Sequence, residues 1–274
     1  MVNPRVRKEL PEVKPVEKKK NIAIVGGGLA GMEAAIILTE RGHNVKIFEK
    51  DRLGGQFKYA PLTPEKKSLH KLIPAFTHRI EELKIPVEYK EATEEDLVGK
   101  FDEVILATGG EPRIIPFPGL EKYYWAEILL PENMPTGKHV AIIGGGLIGV
   151  DVALALIAHN NRVSIIEILP EIGGNMEAIA KKLSLHTLQQ KQAVLSPNTK
   201  VVKIEGNKIY AEENGMEVVF DNVDIIVVAT GMRPYRPLEE KLKGKIPYYL
   251  IGDAKAIGDA QTAIRDAYDL AITL

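Results

Sequence analysis

The chain has 274 residues, 45% of them hydrophobic, and its 36 basic and 37 acidic residues leave a formal net charge of -1. This length suffices for two ordinary domains with separate cores, and the small net charge excludes a global field that would attract nucleic acid or an anionic membrane surface. The sequence contains no cysteine, which excludes disulfides, thiolate metal ligands and any iron–sulfur cluster held by this chain.

The first twenty residues are charged, contain proline and show no sustained hydrophobic period. We therefore predict a tail or surface connector over residues 1–19. This stretch lacks the apolar core of a signal peptide, and no apolar run of about 18 residues follows it. We accordingly expect a cytoplasmic protein with no membrane span.

A repeat of thirty residues dominates the sequence. Residues 21–50 align without gaps on residues 139–168, and twelve of the thirty aligned positions are identical. Each copy begins with a short apolar, β-branched run, passes through glycines into a stretch of helical period, and ends in a second β run that closes on a glutamate. The sequence therefore predicts the same βαβ unit twice.

A second repeat relates residues 101–113 to residues 222–234, each an apolar run that ends in Ala-Thr-Gly before a proline turn. The second βαβ unit lies between the first Ala-Thr-Gly segment and the C-terminal part of the chain. We therefore predict an α/β fold of two Rossmann-like domains, the second inserted into the first. The outer domain comprises residues 20–110 and 232–274, and the inserted domain comprises residues 111–231.

Three glycines follow the first strand of each unit with the spacing Gly-x-Gly-x-x-Gly. In the first unit, Gly26 permits a tight turn, Gly28 lets the backbone approach a diphosphate, and Gly31 lets helix and strand pack closely. The diphosphate then lies at the helix N-terminus, where unpaired N–H groups and the helix dipole favour negative charge. We predict two dinucleotide sites, because the arrangement recurs at Gly144, Gly146 and Gly149.

Each glycine motif is followed about twenty residues later by an acid at a strand end, Glu49 in one copy and Glu167 in the other. Such a carboxylate accepts hydrogen bonds from ribose hydroxyls. NADPH would bring a phosphate against Glu167, and two like charges about 4 Å apart repel by about 4 kcal/mol at an effective dielectric of 20. NADH is therefore expected and NADPH is less favoured. Arg162, if its side chain reached the phosphate of NADPH, would reduce this preference. The alternative interpretation of Glu167 is a solvated strand end.

Other polar residues have competing interpretations. Thr108 and Gly109 close a strand at its carboxyl end, the usual ligand edge of an open α/β sheet, and Thr230 with Gly231 does the same in the inserted domain. The acids of the two first helical turns, Glu33 and Asp151, are explained equally well by a capping role or by ligand contact. The six histidines form no ligand-spaced pair, so no metal site is predicted.

Together these motifs resemble the two-dinucleotide flavoproteins of the glutathione reductase and thioredoxin reductase group, over nearly the whole chain beyond residue 20. The resemblance implies FAD in the outer domain and a nicotinamide nucleotide in the inserted one. In that group the aspartate of a Gly-Asp pair, here Gly252-Asp253, contacts the flavin ribityl chain, and the next helix directs its N-terminus at the flavin ring. Gln56 lies in a turn that relatives place near the flavin, with an ordinary loop amide as the alternative. The redox-active cysteine pairs of that group are missing from this sequence.

A narrower resemblance rests on LGGQFKYA at residues 53–60, on Pro-x-x-Pro-Glu-Lys at residues 61–66, and on the opening VNPRVRKEL. These segments resemble the C-terminal half of the 2,4-dienoyl-CoA reductase and trimethylamine dehydrogenase family, the old-yellow-enzyme-related NADH:flavin oxidoreductases. In full-length members an FMN-bearing TIM barrel and a four-iron cluster precede this region. The resemblance implies such a domain or subunit as electron-accepting partner, and it carries over no substrate, because this sequence lacks the barrel.

The function expected from the resemblance is hydride transfer from NADH to FAD, with electrons passed onward to an FMN and iron–sulfur partner. Direct transfer between cofactors needs no acid–base residue, so no catalytic residue is assigned. Two alternatives remain: a non-catalytic scaffold that holds ADP or FAD, and the FAD/NAD subunit of a glutamate-synthase-like complex. The oligomeric state is not predicted.

The predicted cofactor-binding residues come from the motifs, the strand ends and the resemblance together. In the outer domain they are Gly26, Gly28, Leu29, Ala30, Gly31, Glu49, Lys50, Gly55, Gln56, Ala107, Thr108, Gly109, Gly252, Asp253, Thr262 and Ala263. In the inserted domain they are Gly144, Gly146, Leu147, Ile148, Gly149, Glu167, Thr230 and Gly231.

Overall fold

A computed structural model describes residues 13–274, so the opening VNPRVRKEL and residues 1–12 of the predicted tail lie outside the described residues. Residues 13–19 form neither helix nor strand. Val13 packs against a hydrophobic core, and the amide of Val16 donates to the carbonyl of Arg41 at 2.9 Å. This part of the predicted tail therefore runs along the protein surface.

Fourteen strands lie within the described residues, and most are short. They are β1 (Asn21–Val25), β2 (Asn44–Glu49), β3 (Val87–Tyr89), β4 (Glu103–Leu106), β5 (Gly110–Pro112), β6 (His139–Ile143), β7 (Arg162–Ile166), β8 (Val194–Ser196), β9 (Thr199–Glu205), β10 (Lys208–Glu213), β11 (Met216–Phe220), β12 (Ile225–Val228), β13 (Met232–Pro234) and β14 (Tyr248–Leu250).

Seven α-helices accompany these strands: α1 (Leu29–Glu40), α2 (Leu72–Glu82), α3 (Glu94–Leu97), α4 (Leu147–Ala158), α5 (Ala178–Gln190), α6 (Glu239–Leu242) and α7 (Ala260–Ala271). Four segments are 3₁₀-helical, namely Gly55–Leu62, Pro64–Lys71, Ala126–Leu129 and Gly252–Ala254. The helices α1 and α4 are rich in Ala, Ile and Leu and are buried along most of their length, as expected of helices packed between other layers.

The described chain divides into two compact units. The outer unit comprises the described residues up to Lys58 together with Ser68–Glu111 and Arg233–Leu274, and the inserted unit comprises Tyr59–Lys67 and Pro112–Met232. The predicted outer domain included residues 59–67. The structure instead groups this segment with the inserted unit, where Leu62 packs against the main core and the Tyr59 and Trp125 rings make an edge-to-face contact with centroids 5.5 Å apart.

The outer unit is built on a five-stranded parallel sheet in the order β14-β4-β1-β2-β3. In the sheet register, Val25 aligns with Phe48 on one side and with Leu106 on the other, and Leu106 aligns with Leu250. The carboxyl ends of four strands therefore meet at one edge. This edge carries the first glycine turn, Glu49, Ala107 and Gly252.

The inserted unit contains a four-stranded parallel sheet in the order β12-β6-β7-β8 and an antiparallel meander of β9, β10 and β11. Ile143 aligns with Ile166 and with Val228, so β6, β7 and β12 end at the same level. The second glycine turn, Glu167 and the second Ala-Thr-Gly segment follow directly from these ends. The pair β5 and β13 forms a separate two-stranded sheet.

Candidate functional site

The first glycine turn has a backbone that only glycine fits without strain. Gly26 has φ +108°, and a Cβ built on it would lie 2.2 Å from the carbonyl oxygen of Ala107. A Cβ on Gly31 would lie 1.9 Å from the carbonyl oxygen of Gly26. Both contacts are with backbone, so neither neighbour can swing aside. Gly26 and Gly31 thus let α1 start directly against the ends of β1 and β4.

The second glycine turn repeats this geometry closely. Gly144 has φ +109°, with its Cβ position 2.3 Å from the carbonyl oxygen of Ala229. The Cβ position of Gly149 lies 2.0 Å from the carbonyl oxygen of Gly144. The sequence repeat therefore encodes a repeat of backbone structure.

The middle glycine of each motif is the N-cap of its helix and leaves the helix start without a cap from its own side chain. Gly28 and Gly146 both have extended backbone, whereas the N-caps of α5 and α7 are Glu177 and Asp259, whose carboxylates accept from amides of the first turn. A Cβ on Gly28 would meet nothing within 4 Å. This glycine turn thus presents first-turn N–H groups to open space, which fits the diphosphate of a dinucleotide.

Each acid at the end of the second strand is buried and bonded to the backbone of its own glycine turn. Glu49 accepts from the amides of Gly27 at 2.6 Å and Asp51 at 2.9 Å. Glu167 accepts from the amides of Gly145 at 2.6 Å and Leu169 at 2.8 Å. Glu167 is therefore not the solvated strand end of the alternative interpretation. Its carboxylate is fixed beside the turn, with further lone pairs able to accept hydrogen bonds.

The structure brings several predicted flavin-site residues of the outer unit together. A Cβ on Gly55 would lie 3.3 Å from the Cα of Gly28, and a Cβ on Gly252 would lie 2.9 Å from Cβ of Ala30 and 3.5 Å from Cβ of Ala263. Gly55 and Gly252 thus lie against the start of α1, and Ala263 lies next to Gly252. Small residues at these positions allow the segments to approach the start of α1 closely.

Asp253, predicted from the resemblance, follows β14 in a short 3₁₀ turn. Its Oδ1 accepts from the amide of Gly258 at 3.0 Å, and burial raises the pKa of this carboxyl, against the lowering effect of that hydrogen bond. Thr262 lies in the first turn of α7, where its amide donates to Asp259 at 2.7 Å and its hydroxyl donates at 2.8 Å. The Thr262 side chain therefore supports the N-cap of α7.

The threonines of the two Ala-Thr-Gly segments bond to the backbone of segments that link the two units, Thr108 at Tyr235 and Thr230 at Arg113. The Thr108 hydroxyl donates to the carbonyl of Tyr235, and the Thr230 hydroxyl donates to the carbonyl of Arg113. In return, the amide of Tyr235 donates to Gly109 at 3.0 Å and that of Arg113 donates to Gly231 at 2.9 Å. Both threonines therefore hold a linking segment beside the edge of a sheet. The Lys50 ammonium lies 5.1 Å from the ring centroid of Tyr235.

Gln56 and the residues that open α4 complete the predicted set. The side-chain amide of Gln56 donates to the carbonyl of Gly110 at 2.6 Å. The amide of Leu147 donates to Oδ1 of Asn175 at 3.1 Å, and Ile148 packs against the core of the inserted unit. Sequence reasoning missed Asn175. Among the described residues, no cluster of three or more His, Asp or Glu side chains is arranged to hold a metal ion.

Two helix starts with glycine N-caps, each with a buried acid fixed beside it, agree with what the sequence matches. Residues 20–267 match the family described as pyridine nucleotide-disulphide oxidoreductase. The chain belongs to this family. The family is one of oxidoreductases that use a flavin and a pyridine nucleotide, and the predicted fold of two Rossmann-like domains is confirmed.

Similar proteins include larger oxidoreductases. The chain is 32% identical to the cinnamate reductase of Clostridium sporogenes, over 98% of this chain and 42% of that protein, and 30% identical to the NADH oxidase of Thermoanaerobacter brockii, over 98% and 44%. A 2-naphthoyl-CoA reductase structure superposes with a TM-score of 0.88 at 25% identity, over 96% of this chain and 41% of that one. The chain thus spans less than half the length of these relatives.

A thioredoxin reductase from T. acidophilum has nearly the same extent as this chain. It superposes with a TM-score of 0.74 at 20% identity, over 94% of this chain and 98% of that one. The predicted resemblance to the thioredoxin reductase group and, more narrowly, to the reductases of the 2,4-dienoyl-CoA reductase type is confirmed. Among residues 13–274, no helix combines the length and apolar character that crossing a bilayer requires.

Asp151, for which a capping role was an alternative, is instead part of an ion pair within the inserted unit. It hydrogen-bonds to Lys66 of the segment Tyr59–Lys67, and only 18% of its side chain is exposed. Burial raises the pKa of Asp151, and the hydrogen bond from Lys66 acts in the opposite direction. Asp151 lies in the second turn of α4 and not in the first turn, where the sequence pattern placed it, and the pair holds this segment there.

We expect Lys66→Met to destabilise the protein by about 1–3 kcal/mol at pH 7, because Asp151 would keep a partly buried charge without its partner. A carboxyl group whose pKa is raised in the folded state destabilises the protein as pH rises above the unfolded-state pKa. The loss of unfolding free energy in Lys66→Met should therefore be larger at pH 7 than near pH 4. Urea unfolding at both pH values measures it. Adding Asp151→Asn should recover part of the loss, and Lys182→Met, on the exposed face of α5, is the control. Equal stability of the two lysine variants would contradict the prediction.

Proposed function

We propose that the outer unit holds FAD and that the inserted unit holds NADH. The observation that carries this proposal is the duplicated helix start. In each unit a glycine N-cap, with no side chain of its own, opens a buried twelve-residue helix beside a backbone-fixed glutamate. A dinucleotide offers both partners of this arrangement, a diphosphate for the helix N-terminus and ribose hydroxyls for the carboxylate.

The chain's residues bind and orient in this proposal. When both cofactors are bound, the nicotinamide supplies a hydride and the flavin accepts it. The glycine turns hold the diphosphates through backbone amides, Glu49 and Glu167 fix the riboses, and Asp253 holds the flavin side chain. Positioning of this kind converts an encounter in solution into a reaction between fixed groups, so no side chain need exchange a proton.

The preference for NADH rests on Glu167. Its carboxylate is buried and bonded to two backbone amides, so it cannot move away from an approaching 2′-phosphate. Repulsion of about 4 kcal/mol corresponds to a factor of about a thousand in affinity. The described hydrogen bonds and ion pairs bring no arginine or lysine side chain to this carboxylate.

Anaerobic titration of the FAD-loaded protein with NADH and NADPH tests this proposal. We expect NADH to bleach the flavin absorbance, and NADPH to require about a thousandfold higher concentration. Glu167→Gln keeps an oxygen that can accept from the Gly145 amide and removes the charge. It should reduce the ratio of the NADPH to the NADH concentration needed for flavin reduction at least tenfold. Glu217→Gln, on an exposed strand of the same unit, is the control.

Equal reduction by the two nucleotides would contradict the assignment of Glu167. A protein that binds FAD yet is never bleached by either nucleotide would support the alternative of a non-catalytic scaffold. The electron acceptor is proposed to be an FMN and iron–sulfur domain or subunit, as the resemblance implies. The greater length of the related reductases supports an additional domain of this kind.

A further inference from the structure

The loop after the second acid repeats the loop after the first. Leu53-Gly54-Gly55-Gln56 follows Glu49, and Ile172-Gly173-Gly174-Asn175 follows Glu167. The amide of Gly54 donates to the carbonyl of Gly27 at 2.8 Å, and that of Gly173 donates to the carbonyl of Gly145 at 2.7 Å. Leu53 and Ile172 lie against the same side of their glycine turns. The two loops are therefore structural equivalents, and Asn175 is the counterpart of Gln56.

The two loops end differently. The Gln56 amide donates to the carbonyl of Gly110 and leaves open space at Gly28. Asn175 instead lies over the start of α4, where its Oδ1 accepts from the amide of Leu147 at 3.1 Å and is 3.6 Å from the Cβ position of Gly146. A neutral side chain from a neighbouring loop thus accepts the hydrogen bond of an N–H group for which the glycine N-cap offers no side-chain acceptor.

We infer that Asn175 is a nucleotide-binding residue of the inserted unit. In the nucleotide-free protein its oxygen satisfies the Leu147 amide. When NADH binds, the phosphate takes that amide and the exposed carboxamide turns so that Nδ2 donates to a phosphate oxygen. Asparagine suits both states, because its side chain carries an acceptor and two donors, whereas an aspartate would cap the helix well but repel the phosphate.

This inference rests on the proposed NADH site, and Asn175→Asp tests it. The variant keeps the size of the side chain and an acceptor for the Leu147 amide. We expect unchanged FAD content and equal or higher thermal stability, with about 30-fold weaker binding of NADH and of ADP-ribose, which keeps the diphosphate and lacks the nicotinamide. Asn175→Ala, which loses the donor but also frees the Leu147 amide, should weaken binding about 5-fold.

Asn207→Asp, in an exposed turn of the same unit, controls for the added charge. Titration of FAD-loaded ¹⁵N-labelled protein with ADP-ribose adds a readout that a purely structural cap would not move, since the Asn175 side-chain amide signal should shift on binding. If the parent binds NADH and the Asn175→Asp and Asn207→Asp variants bind it equally well, the inference is wrong and the proposed function stands. If the parent binds neither NADH nor ADP-ribose, the proposed function itself fails.

Discussion

Gly28→Ala is expected to give a folded protein that no longer retains FAD. The new methyl group would meet no protein atom within 4 Å, and Gly28 already has extended backbone, so the substitution strains nothing in the fold. It would, however, project into the space above the first turn of α1, where the diphosphate must approach the backbone. Loss of two charge-assisted hydrogen bonds corresponds to about a 100-fold rise in the FAD dissociation constant.

Flavin absorbance after purification, and titration of the apoprotein with FAD, measure this effect. Gly146→Ala is the matched variant in the inserted unit, since its Cβ position is 3.6 Å from the nearest atom. That variant should keep its yellow colour and lose reduction by NADH. A Gly28→Ala protein that binds FAD as the parent does, or a Gly146→Ala protein that loses FAD instead, would overturn the assignment of the two sites.

The repeated βαβ units could be predicted from sequence because their determinants are local. The apolar runs Ile22 to Val25 and Val140 to Ile143 fall within β1 and β6, and each helix begins directly after the middle glycine of its motif. Gly26 and Gly144 need positive φ, and Gly31 and Gly149 need the absence of a side chain. Such strict backbone requirements limit the residue type to glycine, so they can be recognised from a single sequence.

The partners of the polar site residues could not be predicted, because they are far apart in sequence. Thr108 and Tyr235 are 127 residues apart, and Lys66 and Asp151 are 85 residues apart. No local period or turn pattern encodes such a pair. The grouping of residues 59–67 with the inserted unit could not be predicted for the same reason. It depends on tertiary contacts, and no change in composition marks the segment.

Asn175 was legible in the sequence but was missed. The ungapped repeat ends at residue 168, and the second loop is one residue longer: Gly54 follows Glu49 by five positions, whereas Gly173 follows Glu167 by six. Allowing one inserted residue aligns the Gly-Gly-amide segments of both loops. The same backbone hydrogen bond from each loop glycine to its turn explains why the segment survives this shift.

Gly149→Ala is expected to destabilise the inserted unit by at least about 3 kcal/mol, in contrast to Gly146→Ala three residues earlier. Its Cβ would lie 2.0 Å from the carbonyl oxygen of Gly144. That carbonyl cannot retreat, because Gly144 at φ +109° itself lies against Ala229. Relief therefore requires α4 to move away from the sheet, which would open the buried contacts of Val150 and Ala153.

Thermal unfolding compares the two variants directly, since both place one methyl group at the start of the same helix. For a protein of this size a loss of about 3 kcal/mol lowers the melting temperature by about 6–12 °C, whereas Gly146→Ala should stay within about 2 °C of the parent. Gly31→Ala, with its Cβ 1.9 Å from the carbonyl oxygen of Gly26, should behave in the same way in the outer unit. Equal melting temperatures of Gly149→Ala and Gly146→Ala would contradict this prediction. They would show that the close approach of α4 to its own glycine turn does not fix this helix against the sheet.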